Sequence, residues 1–145
     1  MYNNGGLYFI NNKSLNENIL EEVGYLKIDI YDLVSQTPVE NVLVRVSSLF
    51  TEGLYNEIGK GHYFEANRTD SNGSIPIVTL PVIKRENEIY VLSVNANGYH
   101  SAYILNILIY PNIITSYKIL ITKVTVESEP DFKYILQSLM QVQNY

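Results

Sequence analysis

The feature that most constrains the fold is a two-residue period of apolar side chains that recurs along the chain from Tyr25 onward. Leu26, Ile28 and Ile30 alternate with Lys27, Asp29 and Tyr31, and Val42, Val44 and Val46 alternate with Leu43, Arg45 and Ser47. Successive side chains of a strand point to opposite faces, so this spacing describes strands with one buried face. The connection Ser35-Gln36-Thr37-Pro38 has turn chemistry, which predicts that these two strands are neighbours.

The same pattern continues. Between Phe50 and Arg68 it is irregular and predicts a long loop or a ragged edge strand. Thr69-Asp70-Ser71-Asn72-Gly73 reads as a tight hairpin turn, because Asn and Gly tolerate positive φ, and a short strand Ser74–Leu80 follows. Pro76 within it cannot donate to a ladder, which predicts an edge position. Ile89–Ala96 places Tyr90, Leu92, Val94 and Ala96 on one face, and Asn97-Gly98 closes it. Ser101–Tyr110 and Thr115–Val124 complete the series, with Tyr103, Leu105, Ile107 and Ile109, then Tyr117, Ile119 and Ile121, on the inward faces, and Pro111-Asn112 between them.

About seven short strands without an intervening helical period predict an all-β fold, a β-sandwich. The tail changes character: Ser128-Glu129-Pro130-Asp131 is a helix-start signal, and Phe132, Ile135, Leu136, Leu139 and Met140 then fall at helical spacing. This predicts a short C-terminal amphipathic helix and marks those five residues as an interaction or processing segment. The organisation expected is an extension over 1–23, a sandwich over 24–124, and a linker with a helix over 125–145.

Composition narrows the function. A chain of 145 residues fits one domain on the usual scale of roughly 100–200 residues. The net charge is −5, and the ten Lys and Arg are scattered, which argues against a nucleic-acid partner. There is no cysteine, which removes disulfides, thiolate metal sites and a cysteine nucleophile together. No stretch approaches the roughly 20 apolar residues of a membrane span, and the first residues lack the pattern of a secretory signal.

Four elements in order carry a family likeness: Gly24-Tyr25-Leu26-Lys27-Ile28, Pro38-Val39-Glu40-Asn41-Val42, Thr69-Asp70 to Gly73, and Tyr90 to Gly98-Tyr99. Over about residues 24–124 the chain resembles the carboxypeptidase regulatory-like family of transthyretin-like sandwiches. Leu80-Pro81, Asn97 to Tyr103 and Asn106 to Ile113 carry a narrower one. They are similar to the amino-terminal pro-region of clostridial spore cortex-lytic enzymes. That likeness implies a non-catalytic pro-region or accessory domain, located at the spore cortex or cell wall. The partners implied are the catalytic region of a cortex-lytic enzyme, a subtilisin-like activating protease and peptidoglycan. The likeness implies no cofactor. The alternative reading is a stand-alone wall-binding, glycan-binding or adhesion module.

The candidates for chemistry are thin. His62 and His100 have no second His or Cys at metal-ligand spacing. Asp70-x-Asn72-Gly73 has the opening of a calcium loop, but Ile75 and Ile77 stand where oxygen ligands belong. Lys27, a conceivable isopeptide donor, is predicted to point outward. No Gly-x-Ser-x-Gly elbow is present. The thirteen tyrosines suit a sugar-binding surface, although Tyr90, Tyr103 and Tyr117 are predicted to fill the core. No catalytic, cofactor or metal residue is therefore expected.

Overall fold

The computed structural model describes residues 21–52, 58–125, 132–136 and 141–144. These form an all-β sandwich with no helix among the described residues. The strands are β1 Val23–Asp32, β2 Leu43–Glu52, β3 Ile58–Arg68, β4 Val78–Pro81, β5 Glu88–Asn95, β6 Ser101–Ile107, β7 Ile113–Ile121, β8 Phe132–Leu136 and β9 Gln141–Asn144. One sheet has the order β4-β1-β7-β9 and the other β3-β2-β5-β6-β8.

The alternation that defines the strands also builds the core. Leu26, Ile28 and Ile30 of β1 and Tyr117, Ile119 and Ile121 of β7 face Val44 and Val46 of β2, Leu92 and Val94 of β5 and Ile104 of β6, all of them buried. Each fully buried aliphatic side chain contributes about 2 kcal/mol of transfer free energy. Lys27 on the opposite face of β1 is exposed, as its phase requires, and lies 3.9 Å from Asp29.

Several expectations need correction. β1 and β2 are not neighbours: β1 lies between β4 and β7, and β2 lies between β3 and β5 in the other sheet. The connection carries the chain across the sandwich. On the way, Val39 N–H donates to Ile30 O at 3.0 Å, and Asp32 N–H donates to Thr37 O at 2.9 Å. Likewise the Thr69–Gly73 turn is a crossover and not a hairpin, since it leads from β3 to Ser74, which bridges Asp29 in the opposite sheet. The strand expected over Ser74–Leu80 is shortened to β4, which leaves Pro76 outside it, and β4 is an edge as expected. The irregular stretch before Arg68 forms β3, the edge of the five-stranded sheet.

A bulge overturns the inward face expected for β6. Asn106 has φ +60°, and the β5–β6 register slips between Tyr90 and Val91. Asn is among the few residues that accept this left-handed conformation, and the extra residue reverses the phase of everything before it. Ala102 and Ile104 are buried ahead of the bulge, and Ile107 and Ile109 after it. Tyr103 and Leu105 are consequently half-buried on the outer face.

The tail is the largest correction. Phe132–Leu136, expected to open an amphipathic helix, forms β8 and pairs in parallel with Ser101–Leu105. Gln141–Asn144 forms β9, antiparallel to Ile113–Ser116. Each tail strand satisfies an edge that would otherwise be open, and this pairing overrides a helical spacing that is only a local preference. Of the five residues marked in the tail, Phe132, Ile135 and Leu136 lie in β8, whereas Leu139 and Met140 fall outside the described residues.

Candidate binding cleft

The two edge strands β3 and β4 belong to different sheets, and between them the sandwich opens into a cleft of about 530 Å³. Phe50 from the end of β2, His62 and Phe64 from β3, and Tyr90 from β5 supply its rings. Residues Pro81 to Arg85 form the wall that follows β4, and Glu21 and Glu88 complete the lining.

Three of these rings are in contact. His62 meets Phe64 edge-on at 4.6 Å between centroids, and Phe64 meets Tyr90 edge-on at 5.4 Å. Such pairs are favourable and restrict one another's rotation. Tyr90 is 1% exposed. Its hydroxyl donates to Pro81 O at 2.6 Å, which ties β5 to the end of β4 and holds the two sheets at the cleft floor. Burial, followed by the nearby Glu88 and Glu21 carboxylates, pushes the Tyr90 hydroxyl well above the ordinary tyrosine range.

The wall after β4 is held in place from two sides. Asn87 Nδ2 donates to Thr51 O, and Thr51 N–H donates to Asn87 O at 3.1 Å. Lys84 pairs with Glu22 at 3.2 Å. This arrangement leaves the Arg85 guanidinium over the face of Phe50, 5.6 Å from its centroid. The cleft thus offers ring faces, one guanidinium and two carboxylates.

Two elements of the likeness seen in the sequence, Pro38 to Val42 and Thr69 to Gly73, meet elsewhere, near the crossovers between sheets. Thr69 Oγ1 donates to Val39 O at 2.7 Å and accepts from Val42 N–H at 2.9 Å. Asp70 Oδ1 accepts from the N–H groups of Asn72 at 2.9 Å and Ser74 at 3.0 Å. Gly73, at φ +74°, presses against Pro38 and the carbonyl of Ile30. The Pro38-Val39 and Thr69-to-Gly73 elements therefore meet, and their polar groups serve the backbone.

A third polar cluster is formed by Asp32, which is 4% exposed. It accepts from Ser35 N–H at 2.9 Å, Val34 N–H at 2.8 Å and the Tyr99 hydroxyl at 2.9 Å, with Lys123 Nζ at 3.8 Å. The Ser35 N–H is the main cause that lowers its pKa to about 2; burial opposes this, and Tyr99, Val34 and Lys123 add to it. Burial, then the Asp32 contact, raises the Tyr99 hydroxyl. This cluster fastens the loop after β1 to the β5–β6 turn.

Of the sequence candidates, only His62 and Tyr90 line the cleft, while Tyr117 is buried in the core. His100 is buried beside the β5–β6 turn, its N–H donating to Thr122 O at 2.9 Å, and does not meet His62. The tail residues of β8 lie along β6, at the edge opposite β3. Phe50, Phe64, Arg85 and Glu88 were not expected at a site. The available signal was the i, i+2 pair His62 and Phe64, which places an aromatic row on one face of an edge strand.

No protein-family model matches the chain, and no curated protein does. Among solved structures it is similar to 3-chlorocatechol 1,2-dioxygenase from Rhodococcus opacus, at 14% identity and a TM-score of 0.48, over 74% of this chain and 62% of that one. It is also similar to catechol 1,2-dioxygenase from Acinetobacter, at 11% identity and a TM-score of 0.47, over 83% of this chain and 60% of that one. A 9R-lipoxygenase from Cyanothece matches at 14% identity and a TM-score of 0.35, over 89% of this chain and 19% of that one. The chain spans about six-tenths of the length of the two dioxygenases.

Proposed function

We propose that this chain is a non-catalytic accessory domain of a wall-acting peptidoglycan hydrolase and that it binds peptidoglycan through the aromatic cleft. The observation that carries the reading is the row Phe50, His62 and Phe64, backed by the buried Tyr90, in an open cleft of about 530 Å³ between the two sheet edges. Ring faces in a concave site of that size, with a few polar groups at the rim, suit one segment of a wall polymer. The resemblance in the sequence supplies the wall context. Sedimentation with insoluble peptidoglycan is the test. Retention at moderate salt is expected, and full recovery in the supernatant rejects the reading.

A second reading has its own support. On the outer face of the five-stranded sheet Leu49 and Tyr63 are 43% and 58% exposed, and Val91 and Leu105 lie half-buried along the same face. An apolar strip of this kind suits a pro-region packed on its cortex-lytic enzyme until a subtilisin-like protease releases it. Added in trans to the mature enzyme, the domain should then slow cortex lysis. Unchanged lysis at high excess counts against restraint.

A further inference from the structure

The charges of the cleft are of both signs and only partly matched. Lys84 is neutralised by Glu22. Among the described residues, no cation lies within ion-pair distance of Glu21 or Glu88, and no carboxylate lies within that distance of Arg85. Glu88 stands opposite Phe50 in the β2–β5 register, and Arg85 lies over the same ring. Carboxylates and a guanidinium therefore share one aromatic floor without satisfying one another.

Each simple class of ligand leaves part of this set uncompensated. A neutral sugar would partly desolvate three charges and return no opposite charge to any of them. An anion would meet Glu21 and Glu88, and a simple cation would meet Arg85. A ligand with an ammonium and a carboxylate pairs both signs. Its ammonium also gains from the ring faces, which attract cations.

We propose that the cleft recognises the peptide portion of the wall polymer, a zwitterion whose ammonium lies between Glu21, Glu88 and the Phe64 ring and whose carboxylate meets Arg85. This rests on the wall-binding reading and names the part of the polymer that is held. A cleft of about 530 Å³ accommodates a short peptide with two charged ends.

The test uses the full chain in calorimetric titrations with three soluble probes: a stem tripeptide that ends in a diamino acid, the same tripeptide with its amines acetylated, and an uncharged N-acetylglucosamine tetramer. The free tripeptide should bind about tenfold more tightly than either other probe, and Arg85→Gln or Glu88→Gln should each remove about tenfold of that affinity. Both side chains reach solvent at the cleft rim, so melting temperatures should stay unchanged. Equal binding of the acetylated and free peptides, or tighter binding of the tetramer, overturns the proposal and leaves wall binding standing. Retention on insoluble peptidoglycan with no binding of any soluble probe also overturns this proposal alone. Absence of retention overturns both.

Discussion

The Asp32 carboxylate accepts a 2.9 Å hydrogen bond from the Tyr99 hydroxyl, 67 residues further along the chain. It joins the end of β1 to the β5–β6 turn, and so one sheet to the other. Its consequence is a dependence of stability on pH. Asp32 has a folded pKa of about 2 against an ordinary value of 3.8, so its contribution is complete above about pH 4 and is lost as pH falls toward 2. Asp32→Asn should melt at a lower temperature near neutrality, and the gap to the parent should close across that acid window. Thermal melts followed by circular dichroism from neutral to acid pH decide it; a constant gap refutes the assignment.

Thr69 should be sensitive to loss of its hydroxyl rather than of its volume. Thr69→Val keeps the shape but leaves the Val39 carbonyl and the Val42 N–H without that partner. Urea unfolding should show a loss of about 1–3 kcal/mol. Thr69→Ser retains the hydroxyl and should lose clearly less.

Gly73 and Gly98 separate backbone conformation from packing. Both have positive φ, at +74° and +81°. A methyl group at Gly98 meets open space, whereas at Gly73 it would overlap the Ile30 carbonyl and touch Pro38. Gly98→Ala should cost about 1 kcal/mol, the conformational penalty alone, and Gly73→Ala distinctly more. Equal losses in denaturant titrations would show that the turn relaxes freely.

Asn106 should tolerate glycine and reject a β-branched residue. Its φ of +60° suits Gly, while Val there is strained by about 1–2 kcal/mol and favours a regular strand. Asn106→Val therefore tests the bulge. Besides the loss in stability, it should increase protease sensitivity around β6, where Ala102 and Ile104 would be driven toward the surface.

Phe50 probes the cleft without the core. It is half-buried at the end of β2, so Phe50→Ala should weaken retention on peptidoglycan several-fold with a modest fall in melting temperature. Unaltered retention places the wall contact on another surface.

The strands were legible in the sequence because their signal is local. Leu26, Ile28 and Ile30, or Val42, Val44 and Val46, announce a buried face within a few residues. What lay beyond reach depends on partners distant in the chain. That β1 joins β7 and not β2 follows from how the Asp32–Leu43 connection crosses the sandwich, and no dipeptide encodes that crossing. The inward face of β6 was misjudged because one Asn at positive φ inverts the phase, and on paper both phases of Ala102–Ile109 are apolar. The tail failed for a related reason. Phe132, Ile135 and Leu136 fit a helix by spacing, yet β6 offered a ladder that spacing does not reveal. The cleft draws on residues 21, 50, 62, 64, 81–85, 88 and 90, of which the sequence singled out only His62 and Tyr90 as candidates.

The pairing of β1 with β7 also governs when the domain can exist at all. Tyr25 to Asp32 lie beside Ile114 to Ile121 in parallel register, so the first strand waits for the seventh across some ninety residues of chain. During synthesis β2 can pair with β3 and β1 with β4 early, but one edge of β1 must stay open until the ribosome has released nearly the whole sandwich, a topology expected to fold slowly and to need shelter while it does.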